Sequence, residues 1–549
     1  MTKENKLLDE IGKIDESLVP DLEEISAGSE AGTEEASAAD GRKVISDARL
    51  QGAKGGARES VRKGAKAYRR NVILLSVGGV LAAAILAFVI IPKVWKNKGS
   101  VTGSKPEEIA VGQPGNEEGL IEGQVDAQGI PKSGETVVYA HQMAAPQYPE
   151  MPEYPVGGNS QDQFSVWHEA VKELRNQPEG YQDGYDAYCR KVVAELFSDV
   201  GQDNRVFSPL SLYMALSMTA EVTDGATRQQ ILDLLCQPDV ETLRERAKSI
   251  WLANYMDDGI AKLILGNSMW LNSSREYKAE VLDILARQYF ASSFSGDPAS
   301  EEYSREYRAW INEQTDDFLK EMVEGISLDP GMQLTLASTV NYEAKWVNPF
   351  LEGMTEPGTF HAVSGDVNCD FMYSPAAYEN YYGEKFVCVS IYTLNNGQMR
   401  FILPNEGVTP EELLQDEEAL RFLTAKPRTW DKTRENVGID LWVPRFDISS
   451  ELDLKGYMQA LGIEDAFSAG KADFSPLTDQ SGIMITAIDQ DARLMVDENG
   501  CKAAAVTVEV AGAGAPDEEM DFRLDRPFVF ELVSETGLPI FVGVVNDPS

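Results

Sequence analysis

Apolar and polar positions divide the chain into four zones. Up to about residue 71 apolar residues are sparse, and only Leu7-Leu8-Asp9-Glu10-Ile11-Gly12-Lys13-Ile14 has helical apolar spacing. The Ser/Ala/Glu/Gly run from Ser26 to Asp40 has no periodicity and reads as disordered. Val72 to Ile91 is 20 residues without a charge, VILLSVGGVLAAAILAFVII, closed by Pro92 and Lys93. At a helical rise of roughly 1.5 Å per residue it spans about 30 Å, one hydrocarbon core. Residues 99 to about 160 are rich in Gly, Pro, Gln and Glu and read as a flexible stalk, although the Tyr/Pro run at 147–157 can instead dock on the region C-terminal to it. From about 161 onward apolar periodicity is dense, helical and alternating patterns are mixed, and no repeat or regular βαβ rhythm appears. That mixture predicts an α+β domain over 161–549.

The apolar run is too long for a signal peptide and starts too far into the chain. It also lacks the polar face of a buried soluble helix, so it is expected to be a transmembrane helix over 72–91. Its N-terminal flank, 52–71, holds seven Lys and Arg, and its C-terminal flank, 92–111, holds four. The excess predicts a cytoplasmic, largely disordered tail over 1–71, with the 92–160 stalk and the folded domain outside the cell membrane.

Charge argues against nucleic acid as a partner. Lys plus Arg total 49 against 89 Asp plus Glu, a net charge of −40, whereas phosphate contacts need an excess of cations. The segment 99–549 alone holds 33 basic and 75 acidic residues, so the acidity falls on the expected extracellular part. The 5 cysteines are scattered without a CxxC, which argues against a disulfide scaffold. The 3 histidines leave little room for His-based catalysis or metal binding, and no HExxH, GxxxxGK[ST] or GxSxG is present. Neither an enzyme, a cofactor nor a metal is expected.

The folded region carries a collinear set of short motifs. Asn204-Arg205-Val206-Phe207-Ser208-Pro209-Leu210-Ser211-Leu212 reads as a strand running into a helix, which Ser208 can cap with Pro209 at its first position. Gly225-Ala226-Thr227-Arg228-Gln229-Gln230-Ile231 comes after it. Downstream come Asn267-Ser268-Met269-Trp270-Leu271, Trp310-Ile311-Asn312-Glu313-Gln314-Thr315, Lys345-Trp346-Val347-Asn348-Pro349-Phe350, Phe401-Ile402-Leu403-Pro404 and Val443-Pro444-Arg445-Phe446. Asp453-Leu454, Leu461-Gly462-Ile463, Ala466-Phe467 and Ala472-Asp473-Phe474-Ser475 come next, and Asp525-Arg526-Pro527-Phe528-Val529-Phe530 and Gly543-Val544-Val545-Asn546-Asp547-Pro548 close the series. Any one motif is weak, but this order from about 161 to the end closely resembles the serpin family of serine protease inhibitors. The chain is identified as a member of bacterial type behind a membrane anchor. The resemblance implies a large central sheet A with sheets B and C and about eight or nine helices, and a monomer.

It also implies a mechanism. A serine protease attacks a bond in an exposed reactive loop and forms an acyl-enzyme. The cut loop then enters the large sheet as a new strand, and the tethered protease is distorted before water releases it. The hinge Val496-Asp497-Glu498-Asn499-Gly500-Cys501-Lys502-Ala503-Ala504-Ala505-Val506-Thr507 resembles the inhibitory pattern. Side chains that turn inward on insertion must be small, because packed interiors do not accept extra bulk. Counted from Gly500, the inward set is Cys501, Ala503, Ala505 and Thr507, all small and uncharged, with Lys502 outward. Glu509 also falls on the inward parity and departs from the pattern. Cys501 stands where Thr or Ser is common and reads as a small apolar filler.

Family spacing brackets the reactive bond at Gly514–Ala515, with Ala513–Gly514 the second choice. Val510–Ala511 suits an elastase but shortens the inserted strand, and Pro516 weakens the bonds on either side of it. The segment Val510-Ala511-Gly512-Ala513-Gly514-Ala515 has no Arg, Lys or aromatic residue. It therefore fits the shallow pocket of elastase-like or subtilisin-like proteases. Glu509, Asp517, Glu518, Glu519 and Asp521 around it favour a basic protease. By the same alignment the sheet-opening region holds Ser208, Ser338 and Gln490. Ser338 and Gln490 replace an Asn and a His common in the family and are expected to act as a substituted polar pair. The alternative reading is a serpin without inhibitory action, serving as a cell-surface binding module or as a protease substrate.

Overall fold

The computed structural model describes residues 139, 141–155, 161–376, 378–394, 397–426, 429–501 and 518–549. The tail, the 72–91 segment and most of the 92–160 stalk lie outside these residues. Among the described residues, no helix is long and apolar enough to cross a membrane.

Three sheets carry the fold. The main sheet holds β1 (Gln142–Ala144), β3 (Met256–Asp257), β4 (Lys262–Asn272), β5 (Ala291–Gly296), β6 (Leu334–Lys345), β13 (Phe446–Asp453), β14 (Asp489–Val496) and β15 (Gly500–Cys501). Their order is β1-β5-β4-β6-β15-β14-β13, with β3 paired to β4. A second sheet holds β2 (Arg205–Phe207), β9 (Glu379–Tyr382), β10 (Phe386–Tyr392), β11 (Gln398–Pro404), β17 (Phe528–Val533) and β18 (Pro539–Val545). The third holds β7 (Glu356–Ala362), β8 (Gly365–Ala376), β12 (Val437–Pro444) and β16 (Glu518–Arg523). The near-continuous apolar runs of β17 and β18 suit strands buried on both faces, and every residue of both is buried. Glu531 and Arg400 sit opposite each other there, 2.9 Å apart and with no exposed surface. Burial pushes the Glu531 carboxyl up to about 7, and Arg400 only partly pulls it back.

Eleven α-helices are present among the described residues, more than the eight or nine expected. They are α1 (Gln161–Arg175), α2 (Tyr185–Leu196), α3 (Pro209–Glu221), α4 (Gly225–Leu235), α5 (Val240–Asn254), α6 (Ala279–Gln288), α7 (Glu301–Gln314), α8 (Lys320–Val323), α9 (Pro410–Leu413), α10 (Glu417–Leu423) and α11 (Lys455–Ala460). Two of the eleven, α8 and α9, are single turns of 4 residues each.

A second difference concerns the stalk. Its described part is docked, not free. Residues of β1 pair with β5 at the edge of the main sheet, and Tyr139 is buried against Phe294, ring centroids 4.9 Å apart. The Tyr148 ring stands 5.2 Å from that of Trp251, and the Tyr154 N–H donates to the Asp258 carbonyl at 2.8 Å. Aromatic rings spaced along a Pro-rich segment supply enough apolar area to hold it on the domain.

Candidate functional site

The candidate site lies between β6 and β14, where the resemblance implies strand entry, and its upper end is built by the turn between β14 and β15. The Asp497 side chain accepts the backbone N–H groups of Asn499 at 2.7 Å and Gly500 at 3.1 Å, closing the turn. The chain then runs back between two strands. Cys501 pairs with Val496 of β14 on one side and with Ala344 of β6 on the other, both antiparallel. In the strand order of the described residues, β15 lies between β6 and β14.

Gly500 cannot carry a side chain in this position. A Cβ there would lie 2.2 Å from the Ala344 carbonyl oxygen and 2.8 Å from Lys345 Cα. Cys501 is buried, and burial pushes its thiol far above the ordinary range, so it stays a neutral, small, apolar group. Ala503, Ala504, Ala505, Thr507, Ala513, Gly514 and Ala515 lie outside the described residues.

The turn is clamped from both sides. Glu498 is buried, and its carboxylate accepts from Arg445 Nε at 2.9 Å to each oxygen. The Thr355 hydroxyl donates to the same carboxylate. Burial alone would raise this carboxyl, but the Arg445 guanidinium and the Thr355 hydroxyl outweigh it and hold it below the ordinary range. Trp346 completes the clamp. Its backbone N–H donates to the Asn499 carbonyl at 2.9 Å, and its indole N–H donates to the Asp497 carbonyl at 2.9 Å.

The lower level sits six residues back along the parallel strands β6 and β14, from Ala344 and Val496 to Ser338 and Gln490. These two do not bond each other. The Gln490 side-chain amide makes two bonds to the Ser208 backbone, accepting its N–H at 2.7 Å and donating to its carbonyl at 3.1 Å. Ser338 turns the other way and donates to Asn267 Oδ1 at 2.9 Å, while its carbonyl accepts the Ser211 hydroxyl at 2.9 Å. The Ser338 hydroxyl is taken up by Asn267 on β4 and the Gln490 amide by the Ser208 backbone. The expected direct pair is therefore replaced by a relay through the start of α3, where Ser208 Oγ caps the helix by accepting the Ser211 N–H at 3.2 Å and Pro209 takes the first position. Parting β6 from β14 must break one arm of this relay.

Sequence reasoning placed Glu498, Gly500 and Cys501 in the hinge but missed Arg445, Thr355, Trp346 and Asn267. Arg445 had one signal, a cation between the apolar residues of Val443-Pro444-Arg445-Phe446. Thr355 had none, because its contact is made across 143 residues of chain.

The serpin family model, described as "Serpin (serine protease inhibitor)", matches residues 184–548. The chain belongs to the serpin family. The rice protein Serpin-Z2A (Oryza sativa subsp. japonica) is 28% identical over 418 residues, covering 67% of this chain and 97% of its own length. An uncharacterized serpin-like protein of the archaeon Methanosarcina acetivorans is 26% identical over 364 residues, covering 63% of this chain and 82% of its own. Both are non-bacterial, so the expected bacterial type finds no support in them. Among solved structures, the thermophilic serpin tengpin in its native state superposes with a TM-score of 0.60 at 24% identity, covering 68% of this chain and 95% of that one. The main sheet is thus serpin sheet A, and the six- and four-stranded sheets are sheets B and C. The serpin match begins at 184, so β1 and α1 precede it.

Proposed function

We propose that this serpin is held in the cell membrane by residues 72–91, with its N-terminus in the cytoplasm, and inhibits elastase-like or subtilisin-like serine proteases outside the cell by suicide trapping. The observation that carries the reading is the seat of Cys501: a small, buried hinge residue already paired with both β6 and β14. The residues after it alternate small groups at the inward positions, so the strand can extend without overpacking.

The protease serine oxygen adds to the Gly514 carbonyl, and the Gly514–Ala515 amide bond breaks. The Ala515 nitrogen leaves with the proton taken from the serine, and Gly514 remains as an ester of the protease. Insertion of the loop behind Cys501 then carries that ester away from the loop's original position and distorts the protease before water can cleave it. The five acidic residues near the bond raise the encounter rate with a basic protease.

The test is to mix the protein with an elastase and with a subtilisin. A complex that survives SDS and a C-terminal fragment whose mass begins at Ala515 are expected. The Ala505→Arg variant is expected to be cut without forming a complex, because an unpaired buried charge stalls insertion. Cleavage of the wild type with no complex at any stoichiometry sinks the inhibitor reading and leaves a non-inhibitory serpin.

A further inference from the structure

Helix α7 lies over the half of the main sheet made by β4, β5 and β6. Tyr303, Tyr307, Trp310 and Ile311 of α7 share one buried cluster with Trp270 of β4 and Phe294 of β5. The loop after α7 reaches the other half: the Phe318 carbonyl accepts from Arg493 Nη1 of β14 at 3.1 Å, and the guanidinium stands 4.9 Å over the Phe318 ring. The helix and its loop therefore bridge the line between β6 and β14 where a strand would enter, and side chains of that strand on the α7 face need room that the helix occupies.

The docked N-terminal segment fastens this bridge. Tyr139 belongs to the cluster beneath α7, and its hydroxyl donates to Glu313 Oε2 at 2.7 Å. Burial first, and the Glu313 carboxylate second, push that hydroxyl far above the ordinary phenol range, so it remains a donor. Tyr148 donates to Gln314 Oε1 at 3.3 Å while its ring packs on Trp251 of α5. His141 Nδ1 lies 3.2 Å from Glu306 Oε2. Three side chains of one short segment thus reach α7, two of them at its C-terminal end, and the same segment is stitched to the sheet edge through β1.

We propose that the segment 139–154 is a clasp that holds α7 down on the β4–β5–β6 half of the sheet and so sets the rate at which a strand enters beside β6. The clasp rests on the reading that the reactive loop inserts into the main sheet. Release of the clasp frees α7 to lift and lowers the barrier to insertion, without changing the strand-inserted product in which the sheet is complete.

The experiment uses the full chain in detergent and a synthetic peptide copying residues 501–514, which competes for the place beside β6. Uptake is followed by the rise in thermal midpoint and compared between wild type and the double variant Tyr139→Phe/Tyr148→Phe, which keeps the rings and removes only the hydroxyls. Two part-buried hydrogen bonds lost before the barrier predict uptake about five- to tenfold faster, with an unchanged midpoint for the loop-cleaved form. Wild-type uptake rates in the double variant overturn the clasp, as does an equal loss of midpoint in the intact and cleaved forms. If loop cleavage of the wild type raises no midpoint and no peptide is taken up, the insertion reading fails and the clasp fails with it.

Discussion

Arg445 Nε lies 2.9 Å from both carboxylate oxygens of Glu498, joining the end of β12 to the turn that feeds the hinge strand. The pair is asymmetric. Glu498 is buried, whereas the Arg445 side chain is 45% exposed. The guanidinium is therefore the partner that water can replace, and the carboxylate is the one that cannot be left alone.

Arg445→Met is expected to cost more than Glu498→Gln for that reason. Removing the cation leaves a buried charge held only by the Thr355 hydroxyl and a backbone N–H, at about 2–4 kcal/mol of native stability. Removing the charge leaves a neutral amide that still accepts hydrogen bonds, at about 1 kcal/mol. Urea unfolding of the intact protein measures both, and the reverse order would contradict the account.

Gly500→Ala places a methyl group within 2.2 Å of a backbone oxygen. The hinge strand then leaves its seat, and Cys501 leaves with it. In the wild type, thiol reagents are expected to label the partly exposed Cys236 and Cys369 and to spare Cys189, Cys388 and Cys501. In the variant, Cys501 becomes the additional labelled site, found by peptide mass after alkylation. Continued protection of Cys501 shows that the clash is absorbed elsewhere.

Asp491 gives the sheet a pH dependence of opposite sign to that of Glu498. It stands across from Glu451 and near Asp489, with Tyr307 of α7 above, and burial first and these carboxylates second raise its pKa to about 6. A folded pKa above the unfolded value near 3.8 means that the native state binds the proton more tightly. Stability from this group is then gained as pH falls from about 6 to about 4 and lost on the way up. A rise of that size corresponds to at most ~3 kcal/mol, reduced to about 1–2 kcal/mol by partial solvation. Asp491→Asn should therefore raise the thermal midpoint at pH 7.5 and have little effect at pH 4.5. Glu498, held below its ordinary range, stabilises at neutral pH and loses that contribution as pH falls through its folded pKa. An Asp491→Asn midpoint shift that is the same at both pH values would show that the ionised carboxylate is not the cause.

Much of this protein is legible in its residues alone. Motifs such as Trp310-Ile311-Asn312 and Asp525-Arg526-Pro527-Phe528 mark local strand and helix chemistry, and their order along the chain carries the fold. The cap of α3 is readable from Ser208-Pro209 because capping depends on neighbours a few residues away. The parity of the hinge is readable because strand side chains alternate with a period of two. One-turn helices escape because four residues cannot display a period.

What the chain by itself determined was the small, uncharged character of Cys501, Ala503, Ala505 and Thr507 and the acidity around the loop, since both belong to composition at fixed spacing. Tertiary structure alone decided the rest. It brought Arg445 to Glu498 across 53 residues, and it turned the Ser338 side chain to Asn267 and the Gln490 side chain to the Ser208 backbone, away from each other. It also laid Tyr139 and Tyr148 on α7, 166 or more residues distant. Such contacts depend on which distant segments the core packs together, and no local pattern of residues encodes that distance.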